Sequence, residues 1–291
     1  MNYDTLCMSG GGIKGITFIS ALKYLKDNYK FDLSKIKNFV GTSVGGIFCF
    51  FFSLNYTIDD IYDFVIKFNF GLLEPSTNIN NLLLNYGFDY GKKAEIVFKH
   101  FLKEKYNVSD MTFKEHYNLT KNKLVLIGTN YTKSCDGVFD YINTPDLSIL
   151  TGVRISMSIP LIFTPILYEN CYYIDGGVIN NFPIKYCNKN TTLGIYIKLC
   201  CGNNELDSVF NIFQKCLKII GDSATEKDIH NNDLDIIIIN NSNNINAVDF
   251  NIDIEKKKEI FNYGIEAAKE FINNIPYKIC KNIINDIIKK I

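Results

Sequence analysis

Residues 37–54 read KNFVGTSVGGIFCFFFSL. A short β-forming run ends in Gly41-Thr42-Ser43-Val44-Gly45, and a stretch that is apolar on nearly every side follows. The first part reads as a strand and the last as a helix buried all round. G-x-S-x-G at a strand-to-helix junction has the form of a nucleophile elbow. Gly41 and Gly45 let the backbone turn sharply, and Ser43 is presented at the helix N-terminus. The plainer alternative is a small-residue turn that contains a serine.

Upstream, residues 5–25 read TLCMSGGGIKGITFISALKYL. TLCMS is expected to be a strand, and the helix after it places Ile16, Ile19, Leu22 and Leu25 on one face. Gly10, Gly12 and Gly15 satisfy G-x-G-x-x-G, the pattern of a dinucleotide loop. That reading also needs an acidic residue closing the second strand, to hold a ribose hydroxyl. Here the second strand closes in Val40-Gly41-Thr42-Ser43, so the acid is missing. A phosphate P-loop fails too, because Lys14 is not followed by Ser or Thr. The amides of Gly10, Gly11 and Gly12 are instead candidate donors for an oxyanion formed at Ser43. Lys14 adds positive charge there, as a substrate contact or as a solvated surface lysine.

A serine nucleophile needs a base. The histidines are His100, His116 and His230, each with a helix-surface or loop reading. The order Ser43, Asp175, His230 would suit an α/β-hydrolase triad. His230 precedes the strand DLDIIIIN, however, which puts it at the opposite sheet edge from the elbow. Asp175 ends the apolar strand CYYID and is followed by Gly176-Gly177, an open turn. A Ser43–Asp175 dyad is therefore favoured over a merely turn-forming aspartate.

Elsewhere strands and helices alternate, which predicts an α/β sandwich with a mainly parallel sheet. Thr57 with Asp60 and Thr112 with Glu115 mark helix starts. Cys135-Asp136-Gly137 marks a hairpin turn, and Glu169-Asn170 another. Helices are expected over PDLSILTGVRISMS, with Pro145 near its start, and over IEKKKEIFNYGIEAAKEF and YKICKNIINDIIKKI. No repeat or linker divides the chain, so 1–291 reads as a single domain, with a motif core at 1–200 and C-terminal helices at 254–291 packed on it.

Composition narrows the function classes. In 291 residues, 31 Lys and Arg balance 31 Asp and Glu, which removes the electrostatic footprint of a nucleic-acid binder. The 9 cysteines form no C-x-x-C pair, Cys200-Cys201 has no nearby partners for zinc, and most read as reduced, buried small hydrophobes. No metal and no cofactor is expected. The N-terminus lacks a signal-peptide pattern and no apolar run spans a bilayer, so a cytoplasmic protein with peripheral membrane contact is expected. Two stretches could make that contact: NFGLLEPSTNINNLLLNYG, and an apolar stripe of Ile279, Ile283, Ile287 and Ile291. Ordinary core packing is the alternative for both.

These motifs resemble those of the patatin-like phospholipase family. The G-G-G-x-[RK]-G loop (Gly10–Gly15), the G-T-S-x-G elbow at Ser43 and the D-G-G turn at Asp175 occur in the family's order and approximate spacing. VRISMSIPLIFTPI and NAVDFNIDIEKKKEIFNYGIEAAKEF resemble further family segments, so the likeness covers nearly the whole chain. The resemblance implies a three-layer α/β/α fold and a Ser–Asp dyad. It also implies hydrolysis of phospholipid or other acyl-lipid esters through an acyl-enzyme, with an activating partner as an open option. Many members carry Arg where this chain has Lys14, which replaces a bidentate grip by a point charge. Arg154, the one arginine, matches a frequent family position and is expected to hold a structural carboxylate rather than to serve the substrate. The competing classes are a lipid-binding pseudoenzyme of the same fold and the α/β-hydrolase triad.

Overall fold

The computed structural model describes residues 3–199, 234–241 and 248–288, with positions 215, 216, 225 and 229 between them. Among these the chain forms an α/β fold around an eight-stranded sheet. Its parallel part runs β10 (Asp235–Asn241), β9 (Thr192–Leu199), β1 (Thr5–Met8), β2 (Asn38–Thr42) and β4 (Lys123–Asn130). Antiparallel strands finish the sheet: β8 (Cys171–Asp175) pairs with β4 and with β7 (Ile166–Tyr168), and β5 (Cys135–Phe139) hairpins onto β4. A small second sheet joins β3 (Gly87–Asp89) to β6 (Leu161–Phe163).

The larger core lies on one face of the sheet. It is filled by α1 (Ile16–Tyr29) and α2 (Val44–Ser53), and by parts of α3 (Ile58–Lys67), α5 (Lys92–Tyr106), α7 (Ile149–Ser156) and α8 (Ile254–Ile288). Cys7, Val40, Val125 and Ile127 face the other side and pack with Phe182, Ile184 and Tyr196. Alternate residues of buried strands thus serve two cores, which explains their continuous hydrophobicity. As expected, α2 is buried all round, with Phe48, Cys49, Phe50, Phe51 and Phe52 each at most 4 % exposed. Thr57 and Thr112 form full capping boxes with Asp60 and Glu115, the latter opening α6 (Phe113–Thr120).

Several expectations are corrected. The Cys135-Asp136-Gly137 triplet is not the turn but the start of β5; the loop is 131–134, with Ser134 at φ 53°. Gly137 is there because the Tyr173 ring lies over it, where a Cβ would come within 2.8 Å. Helix α7 starts after Pro145, because the Ser148 side chain accepts from Thr151 N at 3.1 Å and caps it. Pro145 and Leu147 instead offer their carbonyls to Lys114 N and Phe113 N. The two C-terminal helices are one, Ile254–Ile288, continuing through Pro276 although proline donates no helix bond. Cys135 and Cys216 are exposed, while Cys7, Cys49 and Cys171 are buried as expected. His230, Cys200, Cys201 and the side chains of Ile279, Ile283, Ile287 and Ile291 lie outside the described residues.

Candidate active site

The parallel pairing of β1 with β2 brings the glycine loop and the elbow to one sheet edge. Met8 pairs with Gly41, so both chains leave the sheet at the same level. Ser43 then sits at φ 54°, ψ −127°, a conformation that costs on the order of 1–3 kcal/mol for a residue with a Cβ. The glycines around it make that turn possible: a Cβ on Gly41 would lie 2.6 Å from the Gly45 carbonyl carbon and oxygen. The turn is held from below. Ser156 Oγ accepts the Ser43 amide at 3.0 Å and donates to Ile127 O at 2.7 Å.

Asp175 reaches Ser43 by a route the sequence pattern did not indicate. It closes β8, but β8 runs against β4 and pairs with only its last residues, Gly128 to Asn130. The strand therefore enters from beyond the sheet edge and delivers Asp175 beside the elbow. Its backbone is pinned by Asp175 N to Ser158 O at 2.8 Å and by Thr129 Oγ1 to Asp175 O at 2.9 Å.

The carboxyl is 4 % exposed. Oδ1 accepts from Gly177 N at 2.7 Å, while Oδ2 is buried and has no hydrogen-bond partner among the described residues. Burial pushes its pKa up to about 6; the nearby Ser43 hydroxyl and the Gly177 amide oppose that rise without cancelling it. The Ser43 hydroxyl thus lies close enough to the carboxyl to favour its ionised form.

The glycine loop lies directly against this pair. A Cβ on Gly10 would come 3.2 Å from Ser43 Cβ and 2.4 Å from Asn181 Oδ1. The Gly10 amide is committed to Asn181 O at 3.0 Å, which narrows the expected donor set. The amides of Gly11 and Gly12 make no hydrogen bond among the described residues, and Gly12 adopts φ 57°. Gly15 packs on Val44, and Gly176 on the Ile127 carbonyl.

Ser43 and Gly12 also line an apolar cavity of about 110 Å³, whose walls come from α2, α3 and α5 and from Phe70, Leu73, Phe163 and Phe250. The Leu-rich stretch divides. Phe70 and Leu73 turn inward, while Leu72, Ile79, Leu83, Leu84 and Tyr86 are 62–75 % exposed, among them the residues of α4 (Ile79–Asn85).

Other candidate residues fall differently. Lys14 is 6 % exposed, so it is not a solvated surface lysine. Arg154 holds no carboxylate among the described residues. Its guanidinium donates to Tyr90 O (2.9 Å), Ser158 Oγ (2.5 Å) and the Thr164 carbonyl (3.0 Å) and hydroxyl (3.2 Å), and it lies over the Phe163 ring. Burial lowers its pKa to about 10, against the pull of Asp89 and Glu95. His116 is not on a surface: it is 1 % exposed, 3.0 Å from Ser53 Oγ.

The residues that pattern reading missed are small polar groups around Ser43 and Asp175. Besides Ser156 they are Thr42, whose Oγ1 donates to Asn180 O at 3.0 Å, and Asn180-Asn181. Asn180 is held in turn by Asp136 at 2.9 Å, which also receives Tyr186 and Lys185. The available signal was polar residues in otherwise apolar segments, as in RISMS and GGVINNFP.

A strained serine beside a buried aspartate, both against a glycine loop, defines the class: the chain belongs to the patatin-like phospholipase family, whose model matches residues 6–187. Among curated relatives it is 33 % identical to "Probable lipid hydrolase 463L" of Invertebrate iridescent virus 6, over 91 % of this chain and 88 % of that protein. It is 29 % identical to uncharacterized protein R571 of Acanthamoeba polyphaga mimivirus, over 92 % of this chain and 93 % of that one. The fold is shared with VipD of Legionella pneumophila (TM-score 0.57, 16 % identity, 94 % of this chain and 67 % of that one). It is shared also with ExoU of the Pseudomonas aeruginosa type III secretion system (TM-score 0.52, 15 % identity, 94 % and 52 %). No helix among the described residues is long and apolar enough to cross a membrane.

Proposed function

We propose that this protein is a serine lipid acyl hydrolase of phospholipase A type, with Ser43 as nucleophile and Asp175 as base. Ser43 Oγ attacks the ester carbonyl while its proton passes to Asp175 Oδ2. The oxyanion that forms takes hydrogen bonds from the amides of Gly11 and Gly12. Collapse expels the alcohol or lysolipid, which takes the proton from Asp175, and leaves an acyl-Ser43 ester. Asp175 then deprotonates water, which attacks the acyl carbonyl; the bond to Ser43 Oγ breaks, Oγ takes the proton back from Asp175, and the fatty acid is released.

One observation carries this reading: a buried carboxylate oxygen with no hydrogen-bond partner among the described residues stands beside a strained serine at an apolar cavity. A carboxylate is a weak base for a hydroxyl, and burial to a pKa of about 6 raises its basicity while leaving it ionised at neutral pH. The cavity suits an acyl chain better than a polar substrate. The exposed Leu72, Leu83 and Leu84, in the same Leu-rich stretch as the cavity-lining Phe70 and Leu73, suit transient contact with a lipid surface.

The test is mass spectrometry of products after incubation with mixed phospholipid and triacylglycerol vesicles, with Ser43→Ala as control. Free fatty acid and lysolipid released only by the unsubstituted protein are expected. Release that persists in Ser43→Ala removes the mechanism, and no release from any lipid favours the pseudoenzyme.

A further inference from the structure

Lys257, in the first turn of α8, is an unusual lysine. It is 4 % exposed and has no carboxylate within salt-bridge distance among the described residues. Its ammonium instead donates to Ile66 O at 3.0 Å and Phe68 O at 2.6 Å. Those carbonyls belong to the C-terminal end of α3, where the helix dipole favours a cation. The same nitrogen lies 5.2 Å from the centre of the Phe70 ring. Burial lowers the Lys257 pKa, so the position works against the charge and is held by these contacts.

What the lysine holds matters more than how. The chain just beyond α3 carries Phe70 and Leu73, which form part of the cavity wall. The far end of this short segment is tied as well, by Lys93 Nζ to Glu74 O at 2.6 Å. Phe250, which precedes α8, contributes to the same wall. Helix α8 is itself fixed to α1, with Gly264 so close to Thr17 that a Cβ would meet its carbonyl oxygen at 2.2 Å. Lys257 thus joins α8 to the end of α3 and to the Phe70 ring beyond it.

The segment and Ser43 line the same cavity. Ring contacts step outward from α2: Phe48 to Phe51 (6.4 Å), Phe51 to Phe64 (6.2 Å), Phe64 to Phe68 (4.8 Å) and Phe68 to Phe70 (5.3 Å). An acyl chain esterified at Ser43 and lying in this cavity would share it with the Phe70 and Leu73 side chains. We propose that Lys257 is a positioning residue that clamps the Phe70–Leu73 wall and thereby sets the acyl-chain length the cavity accepts. This rests on the acyl hydrolase reading above.

The experiment compares kcat and KM for p-nitrophenyl esters from acetyl to palmitoyl in Lys257→Met, Lys257→Arg and Phe70→Ala proteins. The ratio of kcat/KM for palmitoyl over butyryl ester is expected to fall about tenfold in Lys257→Met, through KM of the long esters. Lys257→Arg should retain most of the ratio, and Phe70→Ala should move it as Lys257→Met does. An unchanged ratio, or an equal loss at every chain length as from general damage, overturns the clamp. If Lys257→Met does not fold, an unchanged ratio in Phe70→Ala overturns it. Fatty-acid binding is a second readout, with cis-parinarate titrated into each variant carrying Ser43→Ala. Its Kd is expected to rise about tenfold, and an unchanged Kd contradicts the clamp. Absence of Ser43-dependent hydrolysis at any chain length would instead contradict the hydrolase reading and leave the binding result to decide the clamp.

Discussion

The two ends of α2 each carry a serine beside a titratable group, and they make a useful pair. At the N-terminus Ser43 faces Asp175; at the C-terminus Ser53 lies 3.0 Å from His116 Nε2. By residue type alone the second pair is the better hydroxyl and base. Its setting is opposite. Ser53 is 0 % exposed, donates to Phe50 O at 2.8 Å in its own helix, and lines no described cavity. It also sits at the negative end of the helix dipole, where an oxyanion is disfavoured. Ser43 is bent out of the helix, opens on a cavity and lies at the positive end near the Gly11 and Gly12 amides, which make no hydrogen bond among the described residues. Proximity of hydroxyl and base does not make a nucleophile; strain, access and donors for the developing charge do.

The comparison breaks most sharply if the wrong serine matters. Ser43→Ala is expected to lower kcat for ester hydrolysis by about 10⁴-fold or more, measured with a soluble ester. Asp175→Asn should lower kcat about 10³-fold, and it should also stabilise the protein. The folded pKa of about 6 lies above the ordinary 3.8, so ionised Asp175 opposes folding. That penalty is absent below about pH 4, grows through pH 6 and is complete above it. Denaturant unfolding at pH 8 should therefore show the Asn variant more stable by on the order of 3 kcal/mol, with the advantage gone at low pH. In the unsubstituted protein, kcat/KM should rise with pH through about 6 as one group loses its proton.

Gly10→Ala sharpens the geometry. The added methyl meets Asn181 Oδ1 and approaches Ser43, so kcat/KM should fall about 100-fold in the same ester assay with little change in melting temperature.

The His116 pair should report on stability alone. Burial lowers its pKa to about 4 from 6.5. Its contribution is complete above pH 6.5 and is lost as the pH falls from there toward 4. The stability gap between the unsubstituted protein and His116→Gln should narrow by about 2 kcal/mol between pH 7.5 and pH 5, read by denaturant unfolding. Smallest of all, Ser53→Ala should change kcat less than about threefold.

Much of this was legible in the chain because its motifs are local. An elbow needs its glycines within two residues of Ser43, and capping boxes need Thr and an acid three apart, so Thr57–Asp60 and Thr112–Glu115 could be read directly. What was hidden depended on partners far along the chain. Nothing near Arg154 says that it takes the Thr164 and Tyr90 carbonyls rather than a carboxylate. Nothing near His116 says that Ser53 covers it. Ser156 under the elbow is 113 residues from Ser43, and Lys257 is 191 from Ile66. The Asp-Gly at 136–137 misled because its turn chemistry was outweighed by the Tyr173 ring above it. Charged and polar groups at long range are matched by geometry, which residue type does not encode.

The most direct test of the central claim is active-site labelling. The intact protein is treated with a fluorophosphonate at pH 7.5, digested, and the adduct located by mass spectrometry. A single adduct on Ser43, lost in Asp175→Asn and retained in His116→Gln, is the expected result. No adduct, or an adduct on Ser53, would contradict the account.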